Sequence, residues 1–210
     1  MRKVFLYLYP IKEYSTMFAI SDEYCEKKGI EKPFEVINEC IQRRYREKGY
    51  EVIITLYPDK ESHKIDMHPE DNIIYTDVTF KDATGYHEDG TKKVIEEVKY
   101  PSEDDLLKKV GYADEIVVGG YHYADCVKRV AEHFYNKGLI TSVDLELTDL
   151  FFGAYRTDSF KKDIFDKEGF KKRFVNHFEG YSDEFIEERL KTMYDSPVYG
   201  LDAASNSKRH

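Results

Sequence analysis

The chain has 210 residues and a formal net charge of −9, and charged side chains make up 35% of it. Proteins bind nucleic acids and anionic membranes nonspecifically through basic faces. The negative net charge therefore argues against both partners. No apolar run approaches the roughly 20 residues of a membrane span. The three cysteines are far apart, without a CxxC motif or a secretory signal, which favours reduced thiols and a cytoplasmic protein.

The first 56 residues predict two strands around a helix. Residues 4–8 are a short apolar run, which we interpret as the first core strand because a secretory signal needs a longer apolar segment and a cleavage site. A helix is predicted over 34–45, opened by Pro33 and closed by Gly49. Residues 52–56 then form the second strand.

The middle of the chain predicts an excursion and a short helix. Residues 72–80 are an apolar, β-branched run, and Asp89-Gly90 is a turn signal. A hairpin is therefore expected within residues 73–98. Leu106, Leu107 and Val110 mark a short helix before the next strand.

Residues 114–149 predict a β-α-β unit. A buried strand at 116–118 is interrupted by Gly119-Gly120, a helix follows over 121–137, and the next strand begins at 139–143. Such units form parallel sheets with helices on both faces. The sequence therefore predicts a three-layer α/β/α fold with a mainly parallel, Rossmann-like sheet over residues 1–152, followed by C-terminal helices.

Three predicted strands end in the same way, with a tyrosine followed by a proline. These tyrosines are Tyr9, Tyr57 and Tyr100. If the strands are parallel, the three side chains emerge at the carboxyl edge of the sheet, where α/β proteins bind ligands. They are candidate ligand-binding residues for a small molecule. The alternative is ordinary strand punctuation in a chain with 18 tyrosines.

Cys126 is the candidate nucleophile. It follows a strand and stands near the start of a helix, where free N–H groups favour a thiolate. The segment Gly-Gly-Tyr-His-Tyr-Ala-Asp-Cys-Val, with Gly120 ending the strand and Val127 after the cysteine, resembles the nucleophile turn of the isochorismatase-like hydrolases. The resemblance covers about residues 1–150 and implies catalytic roles for Cys126 and for Lys99, at the end of a preceding parallel strand.

The first strand departs from that family. These hydrolases carry an aspartate at its end, which activates the thiol, and none is present between Val4 and Tyr9. His122, four residues before Cys126, is the remaining candidate base if both lie on one helix face. The alternative is a buried cysteine that packs beside Val127 and Val130. Asp125 and Arg129, also four residues apart, are interpreted as a solvated ion pair.

A metal site is the weaker chemical hypothesis. Asp66-x-His68-Pro69 resembles the metal-binding motif of nicotinamidases, and carboxylate with imidazole suits zinc or manganese. The alternative is a solvated polar loop, in which case no cofactor is implied.

The last quarter predicts a helical extension over 153–202 and a disordered tail over 203–210. Ser182 is a predicted N-cap, followed by the apolar stripe Phe185, Ile186, Leu190 and Met193. Five phenylalanines precede it: Phe160, Phe165, Phe170, Phe174 and Phe178. This apolar surface has to pack on the sheet domain or on a partner subunit. Isochorismatase-like hydrolases are often oligomeric, so the resemblance implies a homodimer.

Three functional hypotheses follow. The first is a cysteine hydrolase that acts on a small amide-type substrate. The second is a catalytically degenerate relative that binds a small molecule or a protein at the same sheet edge. The third is an interaction protein that uses its aromatic C-terminal helices. The reactivity of Cys126 separates the first two.

Overall fold

The computed structural model describes residues 1–18, 26–27, 32–123, 125–148, 171, 174–175 and 178–199. In chain order its main elements are β1 (Lys3–Leu8), α1 (Lys12–Phe18), α2 (Pro33–Arg44), β2 (Glu51–Leu56), β3 (Asn72–Tyr75), β4 (Val78–Tyr86), β5 (Lys92–Pro101), α3 (Glu103–Val110), β6 (Glu115–Gly120), α4 (Cys126–Asn136), β7 (Thr141–Thr148) and α5 (Asp183–Tyr194).

Five of these strands form one sheet in the order β3-β2-β1-β6-β7, and every pairing in it is parallel. β4 and β5 pair antiparallel in a separate two-stranded unit that turns near Asp89-Gly90. The predicted hairpin and the predicted parallel sheet are both confirmed.

Alternate residues of β1 enter two different cores, as the period of a strand requires. Leu6 and Leu8 pack on one face with residues of α3, α4 and α5. Phe5 and Tyr7 pack on the other face with residues of α2. Helices therefore cover both faces of the sheet, and the three-layer α/β/α fold class is confirmed.

The helix α2 begins and ends where its sequence signals predict. Pro33 occupies the first turn, where its missing N–H costs nothing, and Arg43 and Arg44 occupy the last turn, where they face the negative end of the helix dipole. A short 3-10 turn over Arg46–Lys48 follows. It ends at Gly49, whose φ of 74° is left-handed.

The β-α-β unit differs from its predicted bounds at two places. β6 continues through Gly119 and Gly120, because both residues stay in register with β1. The helix begins at Cys126 rather than at residue 121, because the backbone N–H of Tyr121 is still bonded to the carbonyl of Leu8. β7 starts at Thr141, two residues later than predicted, and runs to Thr148.

The described part of the C-terminal segment packs on the sheet domain. The Ser182 hydroxyl caps α5 by accepting from the Phe185 N–H. The predicted apolar stripe of α5 lies in the same core cluster as Leu6 and Leu8, so this stripe is covered by the chain itself. Phe160, Phe165, Phe170 and the predicted tail over 203–210 lie outside the described residues.

None of the helices in the described ranges is long and apolar enough to cross a membrane.

Candidate functional site

Cys126 lies at the carboxyl edge of the sheet, as the first residue of α4. The chain reaches it from β6 through Gly120, which has a φ of 109°. A Cβ atom at Gly120 would lie 2.5 Å from the backbone nitrogen of Leu8, in the neighbouring strand. Only glycine allows the two strands to approach so closely here. This packing explains the glycine at position 120 without any role in ligand binding, and its predicted role in ligand binding stays a prediction.

The Cys126 residue is 7% exposed. Burial in the first place, and then the Asp125 carboxylate, raise the pKa of its thiol from 9.0 to about 12. The Arg129 guanidinium and a hydrogen bond from the backbone of His122 act in the opposite direction. Burial outweighs both of these effects, so the thiol is protonated at neutral pH in this conformation.

A narrow cleft adjoins the thiol. Its walls are formed by β1, β5, α3 and α4, which contribute Tyr9, Pro101, Glu103, Cys126, Arg129 and Val130. These side chains are packed so closely that the cleft leaves no space for a water molecule.

Charged groups on two helices meet at this cleft. Glu103, in the first turn of α3, forms an ion pair with Arg129 of α4. The same guanidinium lies 3.3 Å from the Asp125 carboxylate. The predicted Asp125–Arg129 pair exists, but its interpretation as a purely solvated face is wrong, because Arg129 lines the thiol cleft.

Tyrosines form the other side of the site. The rings of Tyr9 and Tyr57 stack with centroids 4.8 Å apart. The hydroxyl groups of Tyr57 and Tyr14, the latter from α1, are 3.1 Å apart. Tyr9 also lines the cleft with Cys126. The structure thus brings Tyr9, Tyr57 and Cys126 together at one edge, and their role in ligand binding stays a prediction.

His122 does not share a helix face with Cys126. It precedes α4, so the predicted four-residue spacing on one helix is wrong. Its ring packs against that of Tyr14, with centroids 4.7 Å apart. Its backbone forms a hydrogen bond with the Cys126 thiol, and a His–Cys proton transfer stays a prediction.

The expected position of Lys99 is corrected by the fold. Lys99 and Tyr100 lie on β5, where they pair antiparallel with Phe80 and Thr79. β5 is outside the parallel sheet, so neither residue ends a parallel strand. Their side chains lie outside the part of the chain that the structure describes. The strand nonetheless ends at the site, because Pro101 is part of the cleft wall.

Asp66 and His68 lie far from the thiol, in the loop between β2 and β3. Arg46, just before β2, donates to the Asp66 carbonyl and pairs with Asp71, which places the loop at the amino end of the strands. Both side chains are exposed. The described residues contain no group of three His, Cys, Asp or Glu side chains that could hold a metal ion. Asp66 and His68 therefore have no third ligand among the described residues, and a metal at this loop stays a prediction.

Three residues of the site were missed from the sequence: Tyr14, Glu103 and Arg129. Arg129 follows Cys126 by three positions, which places both on one helix face, and this spacing could have identified it. Glu103 follows the third tyrosine–proline pair but carries no local signal of its own, because it meets Arg129 only through the packing of α3 on α4.

The fold and the site define a three-layer α/β/α protein with a buried thiol at the carboxyl edge of its parallel sheet. No protein-family model matches the chain, and no curated protein matches it. Among solved structures it is similar to a pyrazinamidase of Pyrococcus horikoshii in complex with zinc, with 12% identity, a TM-score of 0.46, and 91% of this chain and 93% of that chain covered. It is also similar to a candidate Mar1 ribonuclease from Leishmania major, with 12% identity and a TM-score of 0.41. This match covers 98% of this chain and 88% of that chain. Similarity this low assigns no function, so function has to be argued from the site.

Proposed function

We propose that the cleft around Cys126 is the active site of a thiol-dependent hydrolase that acts on a small amide-type substrate. The observation that carries the proposal is that Cys126, Glu103 and Arg129 line one cleft. A thiol nucleophile needs a base for its proton and a positive environment for the thiolate. The start of α4 adds the favourable end of a helix dipole.

The location of the cleft supports the same proposal. Open α/β sheets bind their ligands beyond the carboxyl ends of the strands, and Cys126 follows β6 at that edge. Tyr14 and Tyr57 are only partly buried, and they give the site aromatic surface and hydroxyl groups, which suit a small planar substrate with polar substituents. The resemblance of the Gly120–Val127 segment to isochorismatase-like hydrolases points to the same chemistry.

A second candidate is a catalytically degenerate relative that binds a small molecule at this edge without transforming it. The burial of the thiol and its pKa of about 12 favour this reading. Tyr9 favours it as well, because it follows the first strand where the related hydrolases carry their acid. Burial raises the pKa of the Tyr9 hydroxyl, so this residue cannot replace a carboxylate as a base.

Ammonia release from a panel of small primary amides separates the two candidates. A hydrolase is expected to release ammonia in the wild type and in Cys40→Ala, and to lose the activity in Cys126→Ala. Cys40 is the matched control, since it is also a buried free cysteine but packs in the core on the other face of the sheet. Ammonia release by Cys126→Ala at the wild-type rate would refute a thiol mechanism. A ligand that raises the melting temperature of both proteins without ammonia release would support the degenerate relative.

A further inference from the structure

The proposed function requires a base for the Cys126 proton, and the first strand does not supply one. Tyr9 follows β1, and its ring is fully buried. Candidate bases must therefore come from other elements that reach the cleft. Among the described residues that line it, Glu103 carries the one carboxylate.

Glu103 is held in place by the start of α3. Ser102 caps this helix by accepting from the Asp105 N–H at 3.2 Å, which fixes the first turn. The Glu103 side chain is 13% exposed and forms an ion pair with Arg129. The ion pair fixes the direction in which the Glu103 carboxylate points.

We propose that Glu103 is the general base for Cys126 and that Arg129 is the positioning residue that orients the Glu103 carboxylate beside the thiol. This assignment rests on the proposed hydrolase function. It follows the general arrangement of a nucleophile, a base within reach and a third group that orients the base. The three residues come from two helices, since Cys126 and Arg129 are three positions apart on α4.

The reaction with an amide and water balances as follows. The Cys126 proton moves to Glu103 as the sulfur forms a bond with the carbonyl carbon. The carbon–nitrogen bond breaks, and Glu103 returns the proton to the leaving amine, which leaves a thioester on Cys126. Water then attacks the thioester, Glu103 accepts a proton from it, and the carbon–sulfur bond breaks. The proton returns to the sulfur, and the carboxylic acid is released.

The test is the rate at which p-nitrophenyl acetate acylates Cys126, measured against pH in the full chain. Glu103→Gln is expected to slow acylation about 10²-fold or more near neutral pH, the usual contribution of a general base. At high pH, where the thiolate forms without a base, the loss should disappear. Glu103→Asp should recover part of the neutral rate.

The matched control is Asp104→Asn. Asp104 is the next residue of the same helix turn, and it also bridges to α4, through His133 at 2.9 Å. It has the same charge and a comparable helix position but does not line the cleft. Its acylation rate is expected to stay within about twofold of the wild type, as for a surface substitution. Equal unfolding midpoints for the two variants would show that both fold.

The sign of the Glu103→Gln effect decides between the base and a purely electrostatic role. The negative charge of Glu103 raises the pKa of the Cys126 thiol, so a carboxylate that acts through its charge alone suppresses the thiolate. In that case Glu103→Gln would accelerate acylation at neutral pH, and the proposal would be overturned. An unchanged rate would overturn it as well.

Failure of the base assignment is distinguishable from failure of the hydrolase. If Cys126→Ala is inert while Glu103→Gln behaves like the wild type, only the base assignment fails, and loss of the rate in His122→Gln would give that role to His122. If wild-type Cys126 is never acylated, both proposals fail. Arg129→Lys keeps a cation and should retain more of the acylation rate at neutral pH than Arg129→Gln. Arg129→Gln should also shift the pH profile of acylation to higher pH.

Discussion

The ring of Tyr9 stacks on the ring of Tyr57, with centroids 4.8 Å apart and an interplanar angle of 15°. Tyr9 follows β1 and Tyr57 follows β2, so the stack joins the ends of two adjacent parallel strands. Tyr9 has no exposed surface, and its hydroxyl lies 3.4 Å from the Thr76 hydroxyl. Tyr9 thus lines the thiol cleft and is at the same time part of the hydrophobic core.

Replacement of Tyr9 should therefore lower the stability of the fold. Tyr9→Ala is expected to lower the free energy of unfolding by about 3–5 kcal/mol, as for other buried aromatic residues. Tyr9→Phe keeps the stack and loses a single long hydrogen bond, so about 0.5–1.5 kcal/mol is expected. Urea unfolding measures both. Similar losses in the two variants would show that the stack contributes little.

Gly120→Ala should be far more damaging than an alanine at another left-handed glycine. The new Cβ would lie 2.5 Å from the Leu8 nitrogen, and the β1 backbone cannot move away without breaking the sheet. Gly138→Ala is the matched control, because Gly138 has a φ of 88° and open space around it. We expect about 1–3 kcal/mol for Gly138→Ala from backbone strain alone, and a larger loss or no soluble protein for Gly120→Ala. Thermal unfolding with comparable losses would contradict this packing.

The buried thiol predicts how stability depends on pH. The Cys126 thiol has its ordinary pKa of 9.0 when exposed in the unfolded chain, and a pKa of about 12 in the folded chain. Between these values the folded state holds a proton that the unfolded state has lost. The free energy of unfolding therefore falls as pH rises through this range, by at most about 1.4 kcal/mol per pH unit for this group.

Cys126→Ala removes that contribution. Its free energy of unfolding should decline less steeply than that of the wild type above about pH 9, and the two curves should run parallel below it, where the thiol is protonated in both states. Denaturant unfolding across this pH range measures the difference, and thiolate absorbance follows the titration directly. Parallel curves at all pH values would mean that the thiol is not buried in solution.

A charged network on the other face of the sheet provides a separate stability test. Arg44 of α2 lies 3.0 Å from the Asp144 carboxylate of β7, which also accepts from the Tyr45 hydroxyl at 2.6 Å. Asp144→Ala removes one of the two carboxylates that pair with the largely buried Arg44 guanidinium, because Glu146 also pairs with it. The change also leaves the Tyr45 hydroxyl without its acceptor, and a loss of about 1–3 kcal/mol is expected. Glu39→Ala removes an exposed partner of Arg43 on the same helix and should cost less than about 1 kcal/mol. Equal losses in chemical unfolding would contradict the difference in burial.

The elements that bury apolar faces could be predicted from local sequence. The runs at β1 and β2 and the helical spacing in α2 are local signals, because burial of a periodic apolar pattern decides each element by itself. The position of Cys126 at the carboxyl edge follows in turn, since it comes directly after a buried strand. These inferences use interactions within one element or between adjacent elements.

The pairing of Lys99 and the meeting of Glu103 with Arg129 could not be predicted in the same way. An apolar, β-branched run has the same local pattern in a parallel sheet and in an antiparallel hairpin, so the partner of β5 depends on the rest of the chain. Glu103 and Arg129 are 26 residues apart and meet through the packing of α3 on α4. His122 shows the related difficulty of helix boundaries, because the helix starts five residues later than predicted and His122 is therefore not part of it.

Peptide mapping after brief treatment with p-nitrophenyl acetate at neutral pH tests the central claim most directly. The chain has three cysteines, and the account predicts that one acetyl group is attached to Cys126 and is lost again by hydrolysis, while Cys40 stays unmodified. The same experiment on Glu103→Gln should show little acetyl-Cys126 at the same time point. Acetylation of other cysteines with Cys126 unmodified would contradict a nucleophilic role for this thiol.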